Sequence, residues 1–159
     1  MEAREALHLY DESIPGVAWE LLSRTSGAQV LLTLGGDGLI AFDRLPEPPA
    51  EAAADPYRSR LRGQHIPALS GHPVDPLGCG DALLATATLA RATGASLLAA
   101  GFLGSLAAAC EAQRLGNIPI GAADLRAALA RLHTARLAYA PAEANESIHA
   151  AALSAQPLG

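Results

Sequence analysis

Cysteine is scarce in this chain: Cys79 and Cys110 are the only two among 159 residues. Two cysteines cannot build a disulfide framework, and neither sits in a paired metal-ligand spacing, so a disulfide-stapled scaffold and a zinc module are both excluded. A reducing cytoplasm is the compartment that fits. Basic charge is also short. Eleven Lys and Arg against sixteen Asp and Glu leave a net charge of −5 and a pI near 5.4. The bases are scattered, so no field exists for a phosphate backbone, and nucleic acid is not expected as a partner. The N-terminal "MEAREALHLYDES" mixes acids with bases and lacks an apolar core, so no secretory signal is visible. The uncharged stretch "ASLLAAGFLGSLAAAC" (95–110) is sixteen residues long, short of the about 20 that a spanning helix needs. Glu111 and Arg114 close it, and it reads as a buried helix on a sheet, with no membrane role expected. There is not one Gly-Lys pair, which removes the G-x-x-x-x-G-K-[ST] phosphate loop. The five histidines, His8, His65, His72, His133 and His149, are widely spaced and make no ligand motif. No Ser-His-Asp constellation emerges.

What is present is a composition of 50% hydrophobic and 17% charged residues, enough for one domain with a real core. Residues 3–10 read as the end of a helix. Residues 14–26 read as another, with Ser13 as N-cap, Pro15 in the first turn and Gly27 just past the end. "AQVLLTL" (28–34) is an apolar run bounded by glycines and reads as a buried strand, and "LIAFD" (39–43) as a second. Between them "GGDG" carries the Asp-Gly signal of a tight turn. Residues 44–63, rich in Pro, Ala and charge, read as a surface loop, with "QHIPAL" and "HPVDP" as short extended pieces beyond it. Helices are expected from after Gly80 to about Thr93, from Ser96 to about Leu115, and over about 123–133. The segment from 138, and above all from Pro141, is weakly patterned and is expected to fray. The order of elements implies a layered α/β domain. The element count is low for a doubly wound fold and the chain opens inside a helix, so part of something larger is expected.

Two stretches carry chemistry. In "DPLGCGDALLA" the glycines allow a turn whose backbone N–H groups point one way, and the following helix adds its positive end. Such a nest binds anions. Asp81 beside it is either an acid complementing the helix dipole or the base that takes a proton from an attacking hydroxyl. Cys79 has two readings as well: a thiol with its pKa lowered by the helix N-terminus, or a small buried filler. In "TLGGDGLIAF", Gly36-Asp37-Gly38 with Ala41 superficially satisfies G-x-G-x-x-A. That fingerprint requires a helix to follow, and "LIAFDRLPEPP" reads as strand and then proline-rich, so a dinucleotide site is rejected.

Taken together, "VLLTLGGDGLIAF" and "VDPLGCGDALLATATLA" resemble the PfkB, or ribokinase-like, family of carbohydrate kinases. The second stretch is similar to that family's D-T-x-G-A-G-D-x-x-x-[AG]-[AG] signature, at Asp75, Gly78, Cys79, Gly80 and Asp81. The resemblance implies an anion hole formed by the backbone of Gly78, Cys79 and Gly80, with Asp81 as catalytic base. The first stretch resembles the family's T-x-G-x-x-G segment beside ATP, which implies nucleotide contacts at Thr33, Gly35, Gly36 and Gly38. "LGSLAAACEAQRLGN" (103–117) resembles the segment near the adenine, with Ser105 where Asn is usual. "MEAREAL" resembles the end of an N-x-x-E-A segment, which makes Glu2 an indirect organiser of Mg²⁺. "QRLGNIPIGAADLRAAL" (113–129) is similar to the heptose-phosphate kinase branch. Cys79 replaces the usual alanine, and Thr86 stands where Ala or Gly is typical. The implied fold is a ribokinase-like three-layer αβα arrangement, Rossmann-like, over residues 1–137, as a partial domain without the family's N-terminal half and β-lid. The implied activity is ATP- and Mg²⁺-dependent transfer to a sugar or sugar-phosphate hydroxyl, with a homodimer kept open. The alternative is a truncated, inactive module that binds nucleotide or a partner.

Overall fold

The computed structural model describes residues 13–46, 60–70, 72–116 and 118–138, with side chains through 135. The expected helix at 3–10, Glu2, most of the 44–63 loop and the tail beyond 138 lie outside the described residues. Two compact units divide between Gly121 and Ala122.

The first unit opens with helix α1 (Ile14–Thr25), capped as its sequence predicts: the Ser13 hydroxyl accepts from the Gly16 N–H at 3.3 Å, with Pro in the first turn. It ends one residue earlier than a glycine stop implies, because Ser26 itself takes the left-handed conformation, φ 53°. Strands β1 (Gln29–Thr33), β2 (Leu39–Arg44) and β3 (Leu61–Ile66) form an antiparallel sheet in that order. Val30 pairs with Phe42 and Thr33 with Leu39, while Leu39 pairs with Ile66 and Arg44 with Leu61. Because strand side chains alternate, the sheet has two apolar faces. On one, Ala18 and Leu22 of α1 bury Phe42 and Leu61, with Val30, Leu32 and Ile40 around them. Trp19 of α1 covers the end of this layer and receives the Arg44 and Arg60 guanidiniums at 4.7 and 5.3 Å from its ring centre.

Helix α2 (Cys79–Ala92) and helix α3 (Leu97–Glu111) make the other layer. α3 is the one that touches the sheet, and its small residues permit this. A Cβ on Gly101 would stand 3.0 Å from Ile66 Cδ1 and 3.2 Å from Leu31 Cδ2. One turn on, about 60° round the same helix, a Cβ on Gly104 would stand 2.9 Å from the Leu83 carbonyl of α2. The sheet therefore lies between α1 and α3, a three-layer α/β/α arrangement. No helix among the described residues is long and apolar enough to cross a membrane. The second unit's described residues form helix α4 (Ala122–Ala138).

Three expectations need correction. β1 is half-buried rather than buried, and among the described residues it pairs with β2 alone. The 44–63 loop is shorter at both ends, since Arg44 belongs to β2 and Leu61 opens β3. β3 buries only its ends, Leu61 and Ile66, so it shows no apolar alternation to read. α3 stops at Glu111 rather than near Leu115, because the Ala112 carbonyl is taken by the N–H groups of Val74 and Asp75, at 2.6 and 3.1 Å.

Candidate active site

The glycine-rich turn joins β1 to β2 through a single 3₁₀ turn, Gly35–Asp37. Leu34 N–H donates to the Gly38 carbonyl at 2.7 Å, Asp37 N–H to Leu34 at 3.2 Å and Gly38 N–H to Gly35 at 3.1 Å. Gly35 and Gly38 have φ of 61° and 93°. Gly38 has a second reason to be glycine, since a Cβ there would lie 2.2 Å from the Ile66 carbonyl oxygen. At Gly35 and Gly36 a Cβ meets nothing within 4 Å, so this part of the turn is open. The strand that follows, rather than a helix, agrees with rejecting the dinucleotide fingerprint.

The second predicted stretch begins where α2 does. Gly78 precedes the helix with φ 84° and no side chain caps it, so the helix starts on bare backbone. The approach is fastened to the end of α3. Asp75 accepts from the N–H of Leu77 at 3.0 Å and from that of Gly116 at 3.2 Å. Gln113 donates to the Ser70 hydroxyl at 2.8 Å and to the His72 carbonyl at 3.0 Å. Glu111, 2% exposed, accepts from the Ile118 N–H at 3.1 Å, and its other carboxylate oxygen is buried with no hydrogen-bond partner among the described residues. The Ala112 carbonyl, the Gln113 amide and the Gly116 N–H thus set where the chain enters α2.

Both stretches border one cavity of about 330 Å³. Thr33, Gly35, Gly36 and Gly38 line it from the turn, and Cys79 and Gly80 from the start of α2. Ser105, 6% exposed, lines it from α3. Gly78 and Asp81 do not. Asp81 is in the first turn of α2 and exposed, one residue past Gly80, which turns its side chain away from the cavity by a helical step of about 100°. The Cys79 N–H is 3.4 Å from the Pro76 carbonyl, at the far limit of a hydrogen bond. Its thiol is half-buried and borders the cavity, and its pKa is raised, not lowered: burial is the first cause, followed by the negative charges of Glu111 and Asp75. This direction favours the small-filler reading of Cys79 over the activated thiol.

Of the far wall, sequence reading reached the 103–117 stretch but singled out only Ser105, leaving Ala108 and Ala109 of α3 and Ala112 just past its end unnamed, and it missed the 68–70 segment. The α3 residues were within reach, since 105, 108, 109 and 112 repeat at helical spacing from Ser105. Ala68, Leu69 and Ser70 carry no chemical signal. Among the described residues, no three His, Cys, Asp or Glu side chains cluster as a metal site.

Similarity to known proteins bears on the fold and the family. No curated protein sequence matches the chain significantly. Among solved structures, the chain is similar to ribokinase from Thermotoga maritima, with TM-score 0.60 and 20% identity over 80% of this chain and 37% of that one. It is similar to phosphofructokinase-2 from Escherichia coli in complex with potassium, with TM-score 0.61 and 17% identity over 82% of this chain and 38% of that one. It is also similar to Burkholderia thailandensis nucleoside kinase in complex with inosine, with TM-score 0.54 and 22% identity over 79% and 35%. The chain spans little more than a third of the length of these kinases. The fold is the ribokinase-like α/β fold, present as a partial domain. The sequence model of the pfkB family carbohydrate kinases matches residues 2–122, and with well over half of its length inside that match, the chain belongs to this family.

Proposed function

We propose that this chain carries the nucleotide side of an ATP-dependent phosphoryl transfer to a sugar hydroxyl. The observation that supports the reading is the meeting of the glycine turn and the start of α2, forty residues apart in sequence, on one cavity. A cavity of about 330 Å³ falls in the range of small-molecule sites. Its walls suit a nucleotide: small apolar residues of α3 for a base, and glycine backbone with a helix N-terminus for phosphates. Mg²⁺ is usually held by one or two carboxylates together with substrate phosphates, so the lack of a three-ligand cluster among the described residues is compatible with its arriving on the nucleotide. Glu2 is the residue proposed to organise it. Bound Mg·ATP supplies the phosphoryl group and neutralises its charge.

In this reading Asp81 takes the proton of the acceptor hydroxyl as that oxygen bonds to the γ-phosphorus and the bond to the β-phosphate oxygen breaks. The N–H groups of Gly78, Cys79 and Gly80 hold the charge that develops, and Thr33, Gly35, Gly36, Gly38 and Ser105 seat the nucleotide. The position of Asp81 off the cavity suits such a base, which must face the acceptor and not the nucleotide. The acceptor is a sugar or sugar phosphate, and the 113–129 resemblance puts heptose phosphates first in the panel to test. We place the activity in the cytoplasm, in keeping with two cysteines that form no disulfide among the described residues.

A second reading, nucleotide binding without transfer, draws on the share of kinase length the chain covers, 37% of the Thermotoga enzyme. Calorimetric titration with Mg·ATP and transfer of labelled phosphate to a sugar panel separate the two. The first reading expects binding and, in a full-length form that also carries the acceptor half, transfer. It also expects Asp81→Asn to lose about 10²–10⁴-fold in kcat with ATP affinity kept within about three-fold. Binding without transfer selects the second reading, and no binding overturns both.

A further inference from the structure

The glycine turn has little packing of its own, since Gly35 and Gly36 face open space. Its shape depends on hydrogen bonds and on contacts along its outer side. The peptide between Asp37 and Gly38 is the vulnerable one. Gly38 accepts either sign of φ, so this peptide plane can flip without the steric barrier that a side chain imposes. Its N–H is engaged by the Gly35 carbonyl at 3.1 Å. Its carbonyl, the Asp37 oxygen, is not used by the bonds that close the turn. It lies 2.8 Å from Nε2 of His65, which stands on β3 opposite Ile40. A carbonyl oxygen only accepts, so Nε2 is the protonated ring nitrogen and the donor.

We propose that His65 is a positioning residue for the glycine turn, latching the Asp37–Gly38 peptide by its carbonyl. The latch keeps that oxygen on the β3 side, away from the cavity that Gly35, Gly36 and Gly38 line. A carbonyl dipole turned the other way would meet the phosphates of a nucleotide with its negative end. The proposal rests on the nucleotide reading of the cavity for its functional half, and on the hydrogen bond alone for its structural half.

The two halves are tested separately on the full chain. Amide hydrogen exchange by NMR, without nucleotide, reports the latch. His65→Ala is expected to speed exchange of the Gly38 N–H about five-fold, the equivalent of one lost hydrogen bond. Calorimetry with Mg·ATP reports the function: His65→Ala is expected to bind about five-fold more weakly. His65→Gln, whose side-chain amide donates from a similar reach, is expected to restore both, whereas His65→Phe is not. Unchanged exchange in His65→Ala overturns the latch. Faster exchange with unchanged ATP affinity overturns the positioning role. Absence of ATP binding by the unmodified chain overturns the nucleotide reading, and the exchange rates then still decide whether His65 holds the turn.

Discussion

Single residues in this chain differ sharply in how much their neighbours demand of them. The glycine turn shows it within three positions. Gly38 combines a left-handed φ with a Cβ position 2.2 Å from a backbone oxygen, whereas Gly36 has neither constraint. Gly38→Ala is therefore expected to cost about 3 kcal/mol and Gly36→Ala less than about 0.5, read as urea midpoints. Cys79 makes an electrostatic case. Burial and the charges of Glu111 and Asp75 raise its pKa, so the folded chain holds the thiol proton more tightly than the unfolded chain does. The stability this adds is complete below the unfolded pKa and is lost as pH rises through the folded one. Alkylation by iodoacetamide is accordingly expected to be slow at pH 7, with an inflection above that of a free cysteine, and Glu111→Gln is expected to lower that inflection. A midpoint below that of free cysteine sinks the assignment. The types of Gly78, Cys79, Gly80 and Asp81 were readable in sequence because turn-forming glycines before an apolar run are a local signal. The sign of the Cys79 shift was not, because Glu111 is thirty-two positions away and reaches it only through the fold.

Elements follow the same division between local and distant causes. The ends of α1 and α3 were legible at Ser13 and Ser96, whose hydroxyls cap Gly16 and Ala99 as their positions predict. The β1–β2 hairpin was legible from its glycines. β3 was not, because its middle residues, Arg62 to His65, are all exposed and only the partner strand makes them extended. α2 is apolar on more than one face. Leu83 packs against Gly104, while Leu84 and Leu89 are 65% and 69% exposed. Its stability thus depends on the one seam with α3. Gly104→Ala is expected to force that seam apart and cost about 1–3 kcal/mol, with α2 amides exchanging faster than those of the sheet. Equal acceleration throughout the first unit would contradict this localisation.

At the scale of the molecule, the sheet and the α2/α3 layer do one thing that neither does alone: they bring a hairpin turn, a helix start and a helix wall to one cavity. The family was legible in sequence because its motifs are backbone motifs, and glycines betray backbone geometry. The cavity's α3 wall was harder to read, since alanine has little chemistry to announce. The position of Asp81 off the cavity needed the helix to be placed first. Gly101 and Gly104 stand one turn apart on α3, about 60° round its axis, one against Ile66 and Leu31 of the sheet and the other against Leu83 of α2. A helix gripped in this way has no slack to absorb drift. Over generations, a gain in bulk at Leu31 or Ile66 that displaces α3 also disturbs its seam with α2. The sheet and the helix that bears Asp81 are then bound to change together, as correlated substitutions across a helix neither of them owns.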